Sequence, residues 1–218
     1  MTEAPSARPD TSDMHAVHQV FRSSLASAPQ FIGSAERDDG RRALIANYYA
    51  NLMAFLEVHH EGEEALVFPL LMDRAPDRRE IVERAAGQHT EIVGLIDGAK
   101  EGVGSWEAEG DARAPGVERS LQDLNTALCA HLDQEEEEIL PLAGEHLTAE
   151  EWGKLPGHSL GGFEGDKVWL IMGLVREHFT PEQRDAMMNG MPPPVRQMWE
   201  TTGEASFNHL IAQVRQAG

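Results

Sequence analysis

Apolar residues recur in steps of three and four along most of the first 145 positions, the spacing of helices with one buried face. The first stripe runs from about Ser12 to Ala28 and places Met14, Val17, Phe21 and Leu25 on one side, with His18 beside Val17 and Asp13 as the predicted N-cap. The second runs from about Asp39 to Asp73 through Ile45, Tyr48, Leu52, Phe55, His59, Glu63, Leu66 and Leu70. The third runs from about Pro76 to Val103 through Ile81, Ala85, His89, Ile92 and Ile96. The fourth runs from about Pro115 to Glu145 through Leu121, Leu124, Leu128, His131, Glu135, Ile139 and Leu142. No stretch alternates with the period of two that marks a half-buried strand. The pattern predicts an all-α protein whose centre is an antiparallel up-down four-helix bundle. The Gly-rich, acidic segment Glu101–Ala114 reads as its longest link.

The flanks differ from this centre. Residues 1–11 are polar and Pro-containing and read as a disordered N-terminus, with the bundle at 12–147. Residues 148–218 read as a small helical appendage, packed on the bundle or on a partner. In it, Val168–Val175 forms an apolar helix, Thr180-Pro181-Glu182-Gln183 has the form of a helix start, and MPPP opens a last helical stretch. Trp152, Trp169 and Trp199 are its large apolar anchors.

Composition narrows the function. The chain has 218 residues and a formal charge of −19, which repels phosphate backbones and anionic membrane surfaces. No apolar run reaches the roughly 18–20 residues of a transmembrane helix. The first residues lack the basic-then-apolar pattern of a signal peptide, so the expectation is a soluble, cytoplasmic protein. One cysteine, Cys129, excludes an internal disulfide and reads as a small buried residue. Gly-rich phosphate loops and Ser-His-Asp orderings are absent, which argues against nucleotide and acyl-transfer chemistry.

Histidine carries the informative signal. His59-His-Glu-Gly-Glu-Glu-Ala-Leu-Val-Phe-Pro69 aligns without gaps on His131-Leu-Asp-Gln-Glu-Glu-Glu-Glu-Ile-Leu-Pro141, an offset of 72. His18 and His89 are offset by 71. The first two and last two helices therefore read as two copies of one hairpin, related by a pseudo-twofold. The repeat puts one histidine per helix at similar depth, on positions where a bundle wants Leu. His59 with Glu63, and His131 with Glu135, are i, i+4 pairs about 6 Å apart on one face. Four imidazoles and two carboxylates in an apolar core are costly unless a cation gathers them. Two metal ions suit this donor count better than one, and imidazole with carboxylate suits Fe, Mn or Zn.

These motifs resemble the hemerythrin-like, or HHE cation-binding, domain. The resemblance rests on Val17-His18-Gln-Val-Phe-Arg22, His59-x-x-x-Glu63-Glu64-x-x-Val-Phe-Pro69, Gln88-His89 and His131-x-x-x-Glu135-Glu136-x-x-Ile-Leu-Pro141, over about residues 12–145. The tail resembles the C-terminal extension of actinobacterial versions. The resemblance implies two iron ions joined by an oxo or hydroxo bridge, held by His18, His59, His89 and His131 and bridged by Glu63 and Glu135. It also implies binding of O2, hydrogen peroxide or nitric oxide. One departure stands out. Oxygen-carrying members have two histidines four apart on the third helix, but Ala85 and Val93 flank His89 here. His60, about 100° round the helix from His59, is a candidate for the missing ligand. Water, Glu64 or Glu136 are the alternatives.

Blander roles fit the other residues. Glu136, Glu137 and Glu138 read as a solvent-facing run, and His15 as a flanking group. Tyr48 and Tyr49, about 16 Å from His59 along the helix, read as core. His146, His158, His178 and His209 read as surface. Leu56, Val93 and Leu128 are the expected apolar surroundings of the site. An open coordination position favours reactivity over reversible O2 carriage, so the leading expectation is catalase-like or nitric-oxide peroxidase chemistry. A non-catalytic O2, NO or iron sensor or store, and a di-iron oxygenase with an organic substrate, are the alternatives. Oligomeric state and iron against manganese stay open.

Overall fold

The computed structural model describes residues 7–216, and all regular structure in them is helical. Residues 1–6 of the expected disordered stretch lie outside the described residues. The carbonyl of Ala7 accepts a hydrogen bond from Ala149 N at 2.8 Å.

Helix α1 spans Ser12–Ala26 with Thr11 as its N-cap residue. Asp13 lies in the first turn instead of capping it. The Asp10 carboxylate takes the Ser12 N–H at 3.0 Å, and Asp13 Oδ1 accepts from Trp152 Nε1 at 3.1 Å. A short helix α2 (Ala28–Gly33), with Pro29 in its first turn, follows where the apolar pattern had no assignment. Helix α3 (Asp39–Gly62) is capped by Asp38, which accepts from Arg41 N at 2.9 Å. It runs through a π-helical turn (Glu63–Val67) into α4 (Phe68–Arg74). Helix α5 spans Arg79–Glu109, and α6 spans Ala114–Gln134. The latter continues through a π turn (Glu135–Ile139) into α7 (Leu140–His146).

The expected long link Glu101–Ala114 is corrected by this course of α5. The helix continues to Glu109, and only Gly110 and the turn Asp111–Arg113 separate it from α6. Val103 and Trp106 extend the buried stripe of Ile96 and Ala99, so burial on one face outweighs the poor helix propensity of the glycines. Gly110, at φ 87°, reverses the chain in a conformation other residues disfavour.

Two apolar clusters fill the bundle, and each long helix passes from one to the other at its histidine. In α1, Met14 belongs to the smaller cluster and Val20 and Phe21 to the larger. In α5, Val82 and Ala85 precede His89, and Ile92 and Ile96 follow it, in the same sense. The second segment runs the opposite way, from Leu52 and Leu56 to Val67 and Phe68. The fourth does likewise, from Leu124 and Leu128 to Ile139 and Leu140. The helices thus alternate up and down, and the histidines form a polar layer between two apolar ones.

The chain continues through α8 (Ala149–Trp152), α9 (Leu155–Gly161), α10 (Asp166–His178), α11 (Pro181–Gly190) and α12 (Pro193–Met198). A π turn (Trp199–Gly203) then leads into α13 (Glu204–Arg215). Capping boxes Thr148/Glu151 and Thr180/Gln183 start α8 and α11, the second where the sequence predicts a helix start. The tail packs on the bundle. Trp169, Trp199 and Phe207 join the larger cluster, while Trp152 and Leu155 join the smaller. Helix α10 meets α13 at Gly173, where an added Cβ would stand 2.2 Å from the Phe207 ring. No helix among the described residues is long and apolar enough to cross a membrane.

Candidate metal centre

The bundle brings all seven sequence-predicted residues into one buried layer: His18 from α1, His59 and His60 from α3, His89 from α5, His131 from α6, and Glu63 and Glu135 at the starts of the two π turns. The π turns have a covalent cause. Pro69 and Pro141 have no N–H to donate to the carbonyls four residues back, and their rings crowd those carbonyls. The ladder shifts locally to i+5, with Phe68 N–H on Glu63 O and Leu140 N–H on Glu135 O. The same widened turn therefore begins at both seam glutamates.

The donors fall into two sets. His18, His59, Glu63 and Glu135 bring ligand atoms within 4.8 Å of one another, and so do His60, His89 and His131. The sets adjoin through the carboxylates. Glu63 Oε2 lies 3.7 Å from His59 Nε2 and 3.6 Å from His89 Nε2. Glu135 Oε2 lies 3.6 Å from His18 Nε2, and its Oε1 is 3.3 Å from His131 Nε2 and 3.6 Å from His89 Nε2. Each carboxylate thus faces both sets.

The cluster does not satisfy itself. His18 Nε2, His59 Nε2, both His60 ring nitrogens, Glu63 Oε2 and both Glu135 oxygens are buried without a hydrogen-bond partner. The outer nitrogens explain why. His18 Nδ1 meets Glu136 Oε1 at 2.8 Å, and His89 Nδ1 meets Glu64 Oε1 at 3.0 Å. An ionised carboxylate only accepts, so these Nδ1 atoms donate, and the rings turn their Nε2 atoms inward. His131 Nδ1 donates to Gln88 Oε1 at 2.8 Å, and Gln88 Nε2 donates to Gln134 Oε1 at 2.8 Å. The Nε2 atoms of His89 and His131 then face each other at 3.1 Å. Buried nitrogens and carboxylate oxygens thus face one another unpaired, and a cation, or a proton in its place, turns such a confrontation into a bond.

Electrostatics agree with this reading. Burial pushes His59 and His60 well below the usual imidazole range, which keeps them neutral, as metal ligands must be. Burial also pushes Glu63 well above the usual carboxylate range, and Glu135 and Glu64 add to the shift. Glu135 is just as buried, but His131 and His89 hold it well below that range. Without a cation, protons supply part of the positive charge this layer needs.

An outer layer aims the imidazoles. Glu64, from the second segment, orients His89 on α5, and Glu136, from the fourth, orients His18 on α1. Each copy of the repeat steadies a histidine of the other. The sequence pattern places Glu136 in a solvent-facing run. It is instead half-buried against His18 and Arg22, and although burial opposes ionisation, those two partners bring its carboxyl down to about 2. Glu64 and Glu136 bond outer ring nitrogens, while His60 stacks on His89, centroids 4.0 Å apart, and completes the set with His131. The spacing predicts no role for Gln134 or Arg22. The His18-to-Arg22 spacing of one helical turn and the Gln88-His89 neighbourhood were the available signals.

The surroundings match the sequence reading in part. Leu56 and Leu128 are buried, and Phe21 lies 5.3 Å from His59 between ring centroids. Val93 is 49% exposed, which corrects its expected place beside the site, because the buried stripe of α5 continues through Ile92 and Ile96. Cys129 is half-buried rather than buried, with Sγ 3.6 Å from Asn125 Oδ1. His15 is exposed, 3.4 Å from Glu136 Oε2. Tyr48 and Tyr49 are buried away from the layer and bond Ser24, at Oγ (2.7 Å) and the carbonyl (3.1 Å). His158, His178 and His209 are exposed and His146 is half-buried.

With fold and cluster in place, comparison with known families matches residues 3–143 to the Hemerythrin HHE cation binding domain. The match covers more than half of the chain, which belongs to this family. No curated protein and no solved structure matches it.

Proposed function

We propose that the protein is a hemerythrin-like non-haem di-iron protein that binds or turns over hydrogen peroxide, O2 or nitric oxide. The observation that carries this reading is the buried layer of acceptor atoms turned on one another across two adjoining donor sets. In it, His18 and His59 would hold one ion and His60, His89 and His131 the other, with the Glu63 and Glu135 carboxylates facing both sets. Bound iron would supply small-molecule binding and electron transfer. The protein's own part is to keep His59 and His60 neutral, to fix ring orientation through Glu136, Glu64 and Gln88, and to shield the layer between two apolar clusters. The imidazole sets are unequal, two against three, so an exogenous small ligand would meet fewer protein donors beside His18 and His59. A division into a bundle of 12–147 and an extension of 148–218, in a cytoplasmic protein, belongs to the same reading.

Metal analysis with an absorption spectrum tests it: two irons per chain with oxo-to-iron charge transfer are expected. Rapid O2 evolution from hydrogen peroxide would establish the catalase-like form. A His59→Ala protein with full iron content and an unchanged spectrum would refute the ligand assignment.

A sensor reading has one observation in its favour. Helix α9 packs on α3 beside the site, with Leu155 and His158 side chains 3.3 and 3.2 Å from where a Cβ on Gly62 would stand. Gly62 adjoins Glu63, so the tail touches the turn that aims a bridging carboxylate. Reversible ligand binding without turnover would support this alternative.

A further inference from the structure

The two halves of the repeat brace their histidines differently. On the His18 side, Arg22 reaches across from α1, with Nη1 2.6 Å from Glu136 Oε1 and Nη2 2.6 Å from Asp133 Oδ1. Glu136 is thus held between a guanidinium and the imidazole it orients. On the His89 side, the orienting Glu64 is 53% exposed at its side chain, and among the described residues its ion-pair partner is His89 alone. The offset of 71 that relates His18 to His89 relates Arg22 to Val93, which cannot hold a carboxylate. Val93 is exposed.

We propose that Arg22 is a positioning residue for the His18 half of the centre. By clamping Glu136 on His18 Nδ1, it fixes the Nε2 lone pair toward Glu135, and the His89 half lacks the corresponding clamp. The inference rests on the di-metal reading above. An oriented ring binds an ion without first giving up rotational freedom, and partners that orient ligating histidines are worth roughly 10- to 100-fold in metal affinity. Arg22 therefore gives the two ions different dependence on the protein around them.

The test is anaerobic titration of the metal-free protein with ferrous ion alone, resolved into two binding steps by chelator competition. Arg22→Leu is expected to weaken one step by roughly 10- to 100-fold and to leave the other in place. Arg22→Lys, which keeps a cation near Glu136, is expected to recover much of the loss. A structural role alone would not give that rescue. Should Arg22→Leu fold poorly, the uncharged Arg22→Gln carries the same expectation. A second readout needs no metal: nitrogen-15 shifts of His18 in the metal-free protein report its tautomer, expected as Nδ1–H in the wild type and mixed in Arg22→Leu. Equal weakening of both steps, no weakening, or an unchanged His18 tautomer overturns the proposal. A wild-type protein that binds no pair of ions defeats the di-metal reading instead, while the tautomer still judges the clamp.

Discussion

Replacing Glu63 by leucine should stabilise the metal-free protein while removing its response to iron. Ordinary loss of a buried native side chain does the opposite. Glu63 is 2% exposed, and its Oε2 has no hydrogen-bond partner, lying 3.7 Å from His59 Nε2 and 3.6 Å from His89 Nε2. A buried polar group left unsatisfied costs about 1–3 kcal/mol, and leucine of similar volume removes that cost. In a domain of this size each kcal/mol moves the melting temperature by about 2–4 °C, so a rise of roughly 2–12 °C is expected for the metal-free variant. Iron should change the order. At a free concentration about 100 times its dissociation constant, an ion stabilises the wild type by about 2.7 kcal/mol, and a chain without the proposed bridging carboxylate should forgo most of that. Thermal unfolding by circular dichroism, with chelator and with ferrous ion, measures both effects. A metal-free variant less stable than the wild type would show that the layer satisfies itself. An undiminished iron response would show that Glu63 is not a ligand. Either result would sink the reasoning.

Other outcomes follow from single positions. His60→Ala should reduce bound iron from two ions toward one, because His60 completes the set with His89 and His131; metal analysis of the purified variant checks it. Gly98→Ala and Gly104→Ala should each stabilise by about 0.5–1 kcal/mol in urea unfolding, since both lie within α5 with nothing within 4 Å of an added Cβ. Gly173→Ala should destabilise by about 1–3 kcal/mol or more, because its Cβ would overlap the Phe207 ring at 2.2 Å. Glu151, held at about 2 by Arg74 and by its bonds at Thr148, favours the folded state above the ordinary carboxylate range. That contribution should fade as pH falls from about 4.5 toward 2, and Arg74→Ala should flatten this part of a stability-against-pH curve.

The four histidines, the two i, i+4 glutamates and the helices that carry them were legible because each is fixed by local spacing. His59, Glu63, His131 and Glu135 occupy seam positions that a repeat marks twice. His60 was harder, since adjacency to His59 puts it on a different bearing, and only packing shows that α3 turns both rings inward. The link before α6 is not legible because Gly102 and Gly104 look like loop in sequence, whereas Trp106 further on pins the helix. Glu136 looks like surface in sequence because its place depends on α1, more than a hundred residues away. Partners such as Arg22 and Gln134 are set by which helices lie side by side, information that spacing along one helix does not hold.

The polar layer also divides the molecule's folding. Met14, Phe68, Val82, Leu140 and Trp152 pack at one end of the bundle, and Phe21, Tyr49, Ile96 and Trp106 at the other. Between them lies a plane of buried polar atoms without hydrogen-bond partners. Without metal, the smaller end is joined to the larger through continuous helices and a thin apolar contact at Val17, so its amides should exchange with solvent through openings the larger end does not share. Ion binding would weld the two ends into one cooperative unit.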